Sequence, residues 1–224
     1  MATRASRPVV VTAVAALVVI VLALTAALTL RLQRDAALAA DRIGPAVATV
    51  PGDMTCGNGP CGVLTSTPVG GVTVELLAGE GGKHGMLRVL GTGTEILLET
   101  ALSDLGARLT QHSLLCTEGD ITACLARGST NRGLVGEVFV ARGDKWEAVE
   151  RPYVSTGGYL DLIRAAGGDS LDVVLARRLR SGVSLEVFAL DGTPQGCTRG
   201  YRDLARLPGW PEVNLDDTEL RPCD

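Results

Sequence analysis

The chain has 224 residues, 46% of them hydrophobic, with 21 Lys and Arg against 25 Asp and Glu, a formal net charge of −4. Arg4, Arg7, Arg31 and Arg34 all flank one uncharged run, so residues 35 to 224 carry 17 basic and 25 acidic groups, a net −8. That balance argues against a nucleic-acid footprint, and no nucleic-acid partner is expected.

Residues 1–8 form a short basic start, read as cytoplasmic. Residues 9–30, Val9 to Leu30, hold no charge and only Thr12, Thr25 and Thr29 as polar side chains. As a helix this run is about 33 Å long, enough for a hydrocarbon core of about 30 Å, and a transmembrane helix is expected. Ala37-Leu38-Ala39 offers a signal-peptidase-like match, but the run exceeds the roughly 7 to 15 residues of a signal h-region, which favours an uncleaved anchor. Residues 31–55 read as a helical stalk and linker: Arg31 to Arg42 is rich in helix formers, and Gly44-Pro45 stops it.

Residues 56–224 read as a disulfide-containing β domain. All six cysteines, Cys56, Cys61, Cys116, Cys124, Cys197 and Cys223, follow the apolar run, and their even number suits an exported disulfide framework. No Cys-x-x-Cys pair is present to suggest a metal site. Proximity predicts sequential pairing: a tight loop at 56–61, neighbouring strands at 116–124, and a pinned tail at 197–223. The domain is thereby placed outside the cytoplasm.

Within the domain the apolar period is two. Val72, Val74 and Leu76 alternate with Thr73 and Glu75; Leu87 and Val89 flank Arg88; Leu185 and Val187 flank Glu186. Further strands are expected at 94–99, 109–115, 121–126, 134–141, 145–150, 158–165 and 171–178, with one short helical exception at Thr100 to Leu105. Val138-Phe139-Val140 and Val173-Val174-Leu175 are apolar on both faces, as inner strands of packed sheets are. The expected fold is all-β, an antiparallel sandwich or propeller-like stack, after one N-terminal transmembrane helix.

Motifs of catalysis and recognition are few. Gly79 to Gly85 fails as a phosphate loop, since Leu77 and His84 stand where glycine and Ser or Thr are required, and it reads as a hairpin loop. His112 and Ser113 are adjacent, so on a strand they point to opposite faces and cannot pair. No G-x-S-x-G elbow or H-E-x-x-H helix occurs. Arg142-Gly143-Asp144 matches an adhesive triplet, but its place between two strands makes it a hairpin turn. All seven aromatics lie at Phe139 or later, which places a ligand surface in the second half. Trp210, between Pro208-Gly209 and Pro211, is the best candidate for exposure, with core packing or tail docking as its plainer role. Asp216, Asp217 and Glu219 read as a solvated acidic stretch.

The layout of an Arg-bearing start, an Ala/Val/Leu anchor and a cysteine-containing exported domain resembles uncharacterised single-pass membrane proteins of actinobacteria. Arg outnumbers Lys 19 to 2, as in such genomes. Residues 158 to 190 resemble one integrin-type (FG-GAP) propeller repeat, through Tyr159-Leu160-Asp161-Leu162, Gly167 to Val174, and Val183 to Leu190. Arg164, Ala166 and Gly168 occupy that family's calcium-ligand positions, so the resemblance implies the strand-turn-strand unit without its metal.

The sequence is therefore read as a single-pass, membrane-anchored extracytoplasmic binding or envelope-interaction protein without catalytic activity. The alternative is an extracytoplasmic hydrolase of unknown substrate. The expected partners are the membrane, through the N-terminal helix, and a protein of the cell envelope. No cofactor is expected, and no catalytic, cofactor-binding or metal-binding residue is assigned. A pocket holding His84 or His112 beside a carboxylate and a hydroxyl favours the hydrolase.

Overall fold

The computed structural model describes residues 48–49, 54–165, 170–215 and 220–223. The apolar run 9–30 and the stalk at 31–42 lie outside them. No helix among the described residues is long and apolar enough to cross a membrane. One compact unit runs from Val47 to Asp224.

The described chain is all-β, its sheets antiparallel and its helix limited to short 3₁₀ turns such as Ala101–Ser103, inside the segment expected to be helical. β1 (Ala48–Thr49) precedes a small hairpin of β2 (Thr55–Cys56) and β3 (Gly59–Pro60). The first meander follows: β4 (Gly62–Val69), β5 (Val72–Gly79), β6 (Lys83–Leu90) and β7 (Glu95–Glu99), with β1 on its edge against β4. The second meander is β8 (Leu114–Thr117), β9 (Ala123–Thr130), β10 (Gly133–Arg142) and β11 (Lys145–Ala148), and β12 (Tyr153–Ser155) also pairs with β10. The third is β13 (Leu160–Ile163), β14 (Asp172–Leu179), β15 (Gly182–Ala189) and β16 (Pro194–Cys197). The sheets do not close on one another.

Side-chain alternation turns these meanders into layers. Val74, Leu76, Leu87 and Val89 of the first sheet pack with Leu114, Cys124, Ala126 and Phe139 of the second. The other face of the second sheet, Leu125, Val138 and Val140, packs with Leu160, Leu162, Val173, Leu175 and Phe188 of the third. Each such side chain contributes roughly 1.5 to 3 kcal/mol on burial, and the middle sheet collects it on both faces. That accounts for the continuous apolar run at Val138-Phe139-Val140. The outer face of the third sheet is covered by the chain after β16, through Tyr201, Leu207, Val213 and Leu215. On the first sheet, Leu77 and Met86 lie under the β2–β3 hairpin, while Arg88 pairs with Glu75.

The meanders repeat at a spacing of about fifty residues. Gly82 immediately precedes β6, Gly133 and Gly182 begin β10 and β15, and all three have positive φ. At each, an added Cβ would run into the carbonyl oxygen of a returning segment, at Leu109, Ser155 and Tyr201 respectively. The sixth residue after each glycine is Arg88, Phe139 and Phe188. The two phenylalanines face the preceding sheet. The first sheet has no preceding sheet among the described residues, and there the position holds a charge. The match Gly-Leu-Val-Gly-Glu-Val-Phe at 133–139 and Gly-Val-Ser-Leu-Glu-Val-Phe at 182–188 is the same unit in sequence.

The three disulfides join Cys56 to Cys61, Cys116 to Cys124 and Cys197 to Cys223, as proximity predicts. One expected strand is corrected: 109–115 is extended only from Leu114. Residues 110–113 turn instead, because Ser113 Oγ accepts the Thr110 N–H at 2.8 Å and the Ser113 N–H donates to the Thr110 carbonyl.

Glu137 faces the first core from β10 and accepts the Ala101 N–H at 2.9 Å. Burial raises its pKa above the usual 4.5, against the lowering effect of that hydrogen bond. A carboxyl whose folded pKa is raised binds its proton more tightly in the fold, so its contribution falls as pH climbs from 4.5 through the folded value. Glu137→Gln keeps an acceptor for Ala101 and removes the charge. It is expected to raise the melting temperature at neutral pH and to melt with the wild type below 4.5, read by calorimetry across pH.

Candidate functional site

The chain leaving β12 turns sharply at Ser155, which is fully buried. Its hydroxyl donates to the Ala176 carbonyl at 2.8 Å and accepts the N–H groups of Gly158 and Tyr159 at 3.2 Å. This fixes Tyr159 at the entry to β13. Trp210 is held against it from the far end of the domain: its N–H donates to the Leu207 carbonyl, and Leu207, Val213 and Leu215 are buried around it in sequence. The Tyr159 and Trp210 rings lie 5.9 Å apart, tilted by 59°. Trp210 nevertheless remains 38% exposed, so it is both docked and presented.

Beside this pair, Arg127 of β9 donates to the Leu160 carbonyl and lies 3.9 Å from Asp161 Oδ2. Asp161 Oδ1 accepts the Leu162 N–H at 2.8 Å. Burial pushes the Asp161 carboxyl up, while Arg127 and the Leu162 N–H pull it down. The Tyr159 phenol is pushed well above its usual range, mainly by burial and further by Asp161, and stays protonated as a donor. These groups, with Arg108, His112 and Leu134, line a hollow of about 410 Å³. A half-exposed indole next to a guanidinium and a carboxylate suits a ligand that offers one apolar face and polar groups at its edge.

His112 lies on the rim of that hollow. Its N–H donates to Thr110 Oγ1 at 3.2 Å and its Nε2 is 3.2 Å from Gln111 Nε2. Ser113 is buried and its Oγ accepts the Thr110 N–H; Thr110, Ser113 and Ser129 line the same hollow as His112 and Asp161, the combination of imidazole, carboxylate and hydroxyl that the hydrolase reading requires. His84 sits elsewhere, on β6, with its ring against Gly57 of the loop between β2 and β3. The two imidazoles are thus on different elements.

Gly143 and Asp144 are the two turn residues between β10 and β11, as expected of the Arg-Gly-Asp triplet, and Arg142 pairs with Glu147 at 2.9 Å. Asp144 also lines a second hollow of about 610 Å³ among hairpin tips of the first and second sheets, with Asp120, Thr94 and Trp146. Sequence reading selected Trp210 but not Arg127 or Asp161. The signal for both was a charge inside an apolar strand, Asp161 between Leu160 and Leu162 and Arg127 after Leu125-Ala126, where a partner is required. Comparison with protein-family models, curated proteins and solved structures finds no match to this chain.

Proposed function

We propose that the chain is a single-pass, membrane-anchored extracytoplasmic binding protein, resembling the actinobacterial membrane proteins named above, whose domain makes contacts in the cell envelope without catalysis. The observation that carries the reading is the hollow where Trp210 stands on Tyr159 beside the Arg127–Asp161 pair, which offers an aromatic face and charged groups for recognition. The pairing of all six cysteines supports an oxidising address, and the apolar length of Val9 to Leu30 supports the anchor. Three repeated meanders with shared cores support a propeller-like stack over a two-sheet sandwich. The mechanism is confinement: an anchor raises the effective concentration of the domain near partners in the same membrane, so weak contacts suffice.

Two measurements test this. A membrane-impermeant thiol reagent on intact cells is expected to label the cysteines only after reduction; labelling without reductant, or only after lysis, overturns the address. A photoreactive residue at position 210 is expected to crosslink an envelope component in intact cells. The same residue at Val154, which is 48% exposed but lines none of these hollows, is expected to capture none. Equal capture at both positions, or none at 210, overturns the assignment of the hollow.

A further inference from the structure

Several guanidinium groups of the fold have partners. Arg88 pairs with Glu75 and Glu95, Arg127 with Asp161, and Arg177 with Glu186, while Arg151 donates to the Gly192 carbonyl and covers Phe188. The tip of the β14–β15 hairpin carries exposed guanidinium groups. Arg178 and Arg180 there, with Arg202 from the chain after β16, line a hollow of about 690 Å³. Among the described residues, none of these three has a carboxylate within ion-pair distance. Asp203 is the one acid among the described lining residues, so the hollow is net cationic in a domain whose overall charge is negative.

Two of the large apolar side chains that the domain leaves exposed border the same hollow: Leu179, 40% exposed at the hairpin tip, and Trp210, 38% exposed. Guanidinium groups match phosphate oxygens in a planar, two-pronged geometry. An indole and an aliphatic side chain beside them match the boundary between headgroup and acyl chain, where tryptophan is enriched. A soluble phosphate needs the cations and has no use for the apolar rim.

We propose that this hollow is a docking surface for the phosphate headgroups of an anionic bilayer, held by Arg178, Arg180 and Arg202 with Leu179 entering the interface. It does not depend on the N-terminal anchor. A domain that grips lipid in this way has a fixed face toward the membrane, which leaves its other hollows at a defined height and orientation.

The test uses the full chain held in phosphatidylcholine nanodiscs, mixed with vesicles of pure phosphatidylcholine or with about 30 mol% phosphatidylglycerol, and separated by flotation. Co-flotation is expected with the anionic vesicles alone, weakening as salt rises from about 50 to about 200 mM. The triple variant R178Q/R180Q/R202Q is expected to lose about 100-fold in partitioning. L179S, which leaves every charge in place, is expected to lose less. Equal flotation with both vesicle types, insensitivity to salt, or full competition by millimolar glycerol phosphate overturns the proposal, the last in favour of a free-phosphate site. If the chain is not retained in nanodiscs, the anchor reading fails by itself, and the same vesicles then read the docking surface directly.

Discussion

Gly182→Ala is expected to destabilise the domain by about 4 kcal/mol, as much as truncation of a large core residue. Gly182 has φ +139, where an L side chain is strained by about 1 to 3 kcal/mol. Its Cβ would also collide with the Tyr201 carbonyl oxygen and lie 2.9 Å from the carbonyl carbon. To relieve that, the returning segment must move away, and the Val183–Tyr201 hydrogen bonds at 2.8 and 2.7 Å are then lost, at about 1 kcal/mol each. Gly133, with φ +137 against the Ser155 carbonyl, occupies the same place in the second sheet and is expected to behave alike. Gly143 is the control. It has φ +63 but nothing within 4 Å of an added Cβ, so alanine there meets only the backbone cost of about 1 to 2 kcal/mol. Urea denaturation midpoints decide the matter. If Gly182→Ala is no worse than Gly143→Ala, the returning segment does not lean on β15 and the repeated unit is misjudged.

That repeated unit also shows what was legible in the sequence and what was not. Strands whose two faces differ, such as Val72 to Leu76, announce themselves by alternation, and inner strands such as Val138 to Val140 announce themselves by having no polar face. β4 does not show in the sequence because Thr65, Ser66, Thr67 and Pro68 look like loop chemistry, although they pair in register with β5. β12 and β16 are too short to show a period. Their pairing is decided by the sheets they join, which local sequence does not report. The disulfides were legible because each pair is close in sequence. The site was legible only at Trp210, whose proline and glycine neighbours keep it from a regular element. Its partners come from β9, β13 and the chain between them, and only the stacking of the second sheet on the third brings Arg127 to Asp161.

Stacked units that share faces must end somewhere, and an uncovered apolar sheet face invites association. The two ends are handled differently. At the first sheet, the position that is phenylalanine in the other two is Arg88, paired with Glu75 and reaching Glu95 at 3.8 Å, so that face tolerates water. At the third sheet the outward side chains remain apolar, Val174, Val183, Leu185 and Val187 among them, and a segment of the chain must cover them. Glu186 on that sheet is also kept paired, with Arg177 at 2.9 Å.

The cover on the third sheet sets the second large effect. Replacing Cys197 and Cys223 together by alanine is expected to cost about 3.5 kcal/mol, because their bond closes a loop across 26 residues in the unfolded chain. The Cys56–Cys61 bond spans 5 residues, and its removal is expected to cost about 2 kcal/mol. Loss of the longer bond also frees the paired segment at Arg221, whose N–H and carbonyl bond Cys197 at 2.9 and 2.8 Å, so the backbone amide at position 197 is expected to exchange with solvent much faster in the variant. The cover itself should stay in place, since Leu207, Val213 and Leu215 are each less than a tenth exposed and are held by burial worth roughly 2 kcal/mol apiece. Guanidinium denaturation, amide exchange and an apolar dye therefore give a distinctive combination: a lower midpoint and a faster amide at position 197, with no added dye binding under native conditions. Dye uptake by the native double variant would show that the bond, and not the buried side chains, holds the segment on the sheet. A loss no larger than that of the Cys56–Cys61 variant would show that the unfolded chain is not appreciably constrained by the longer loop.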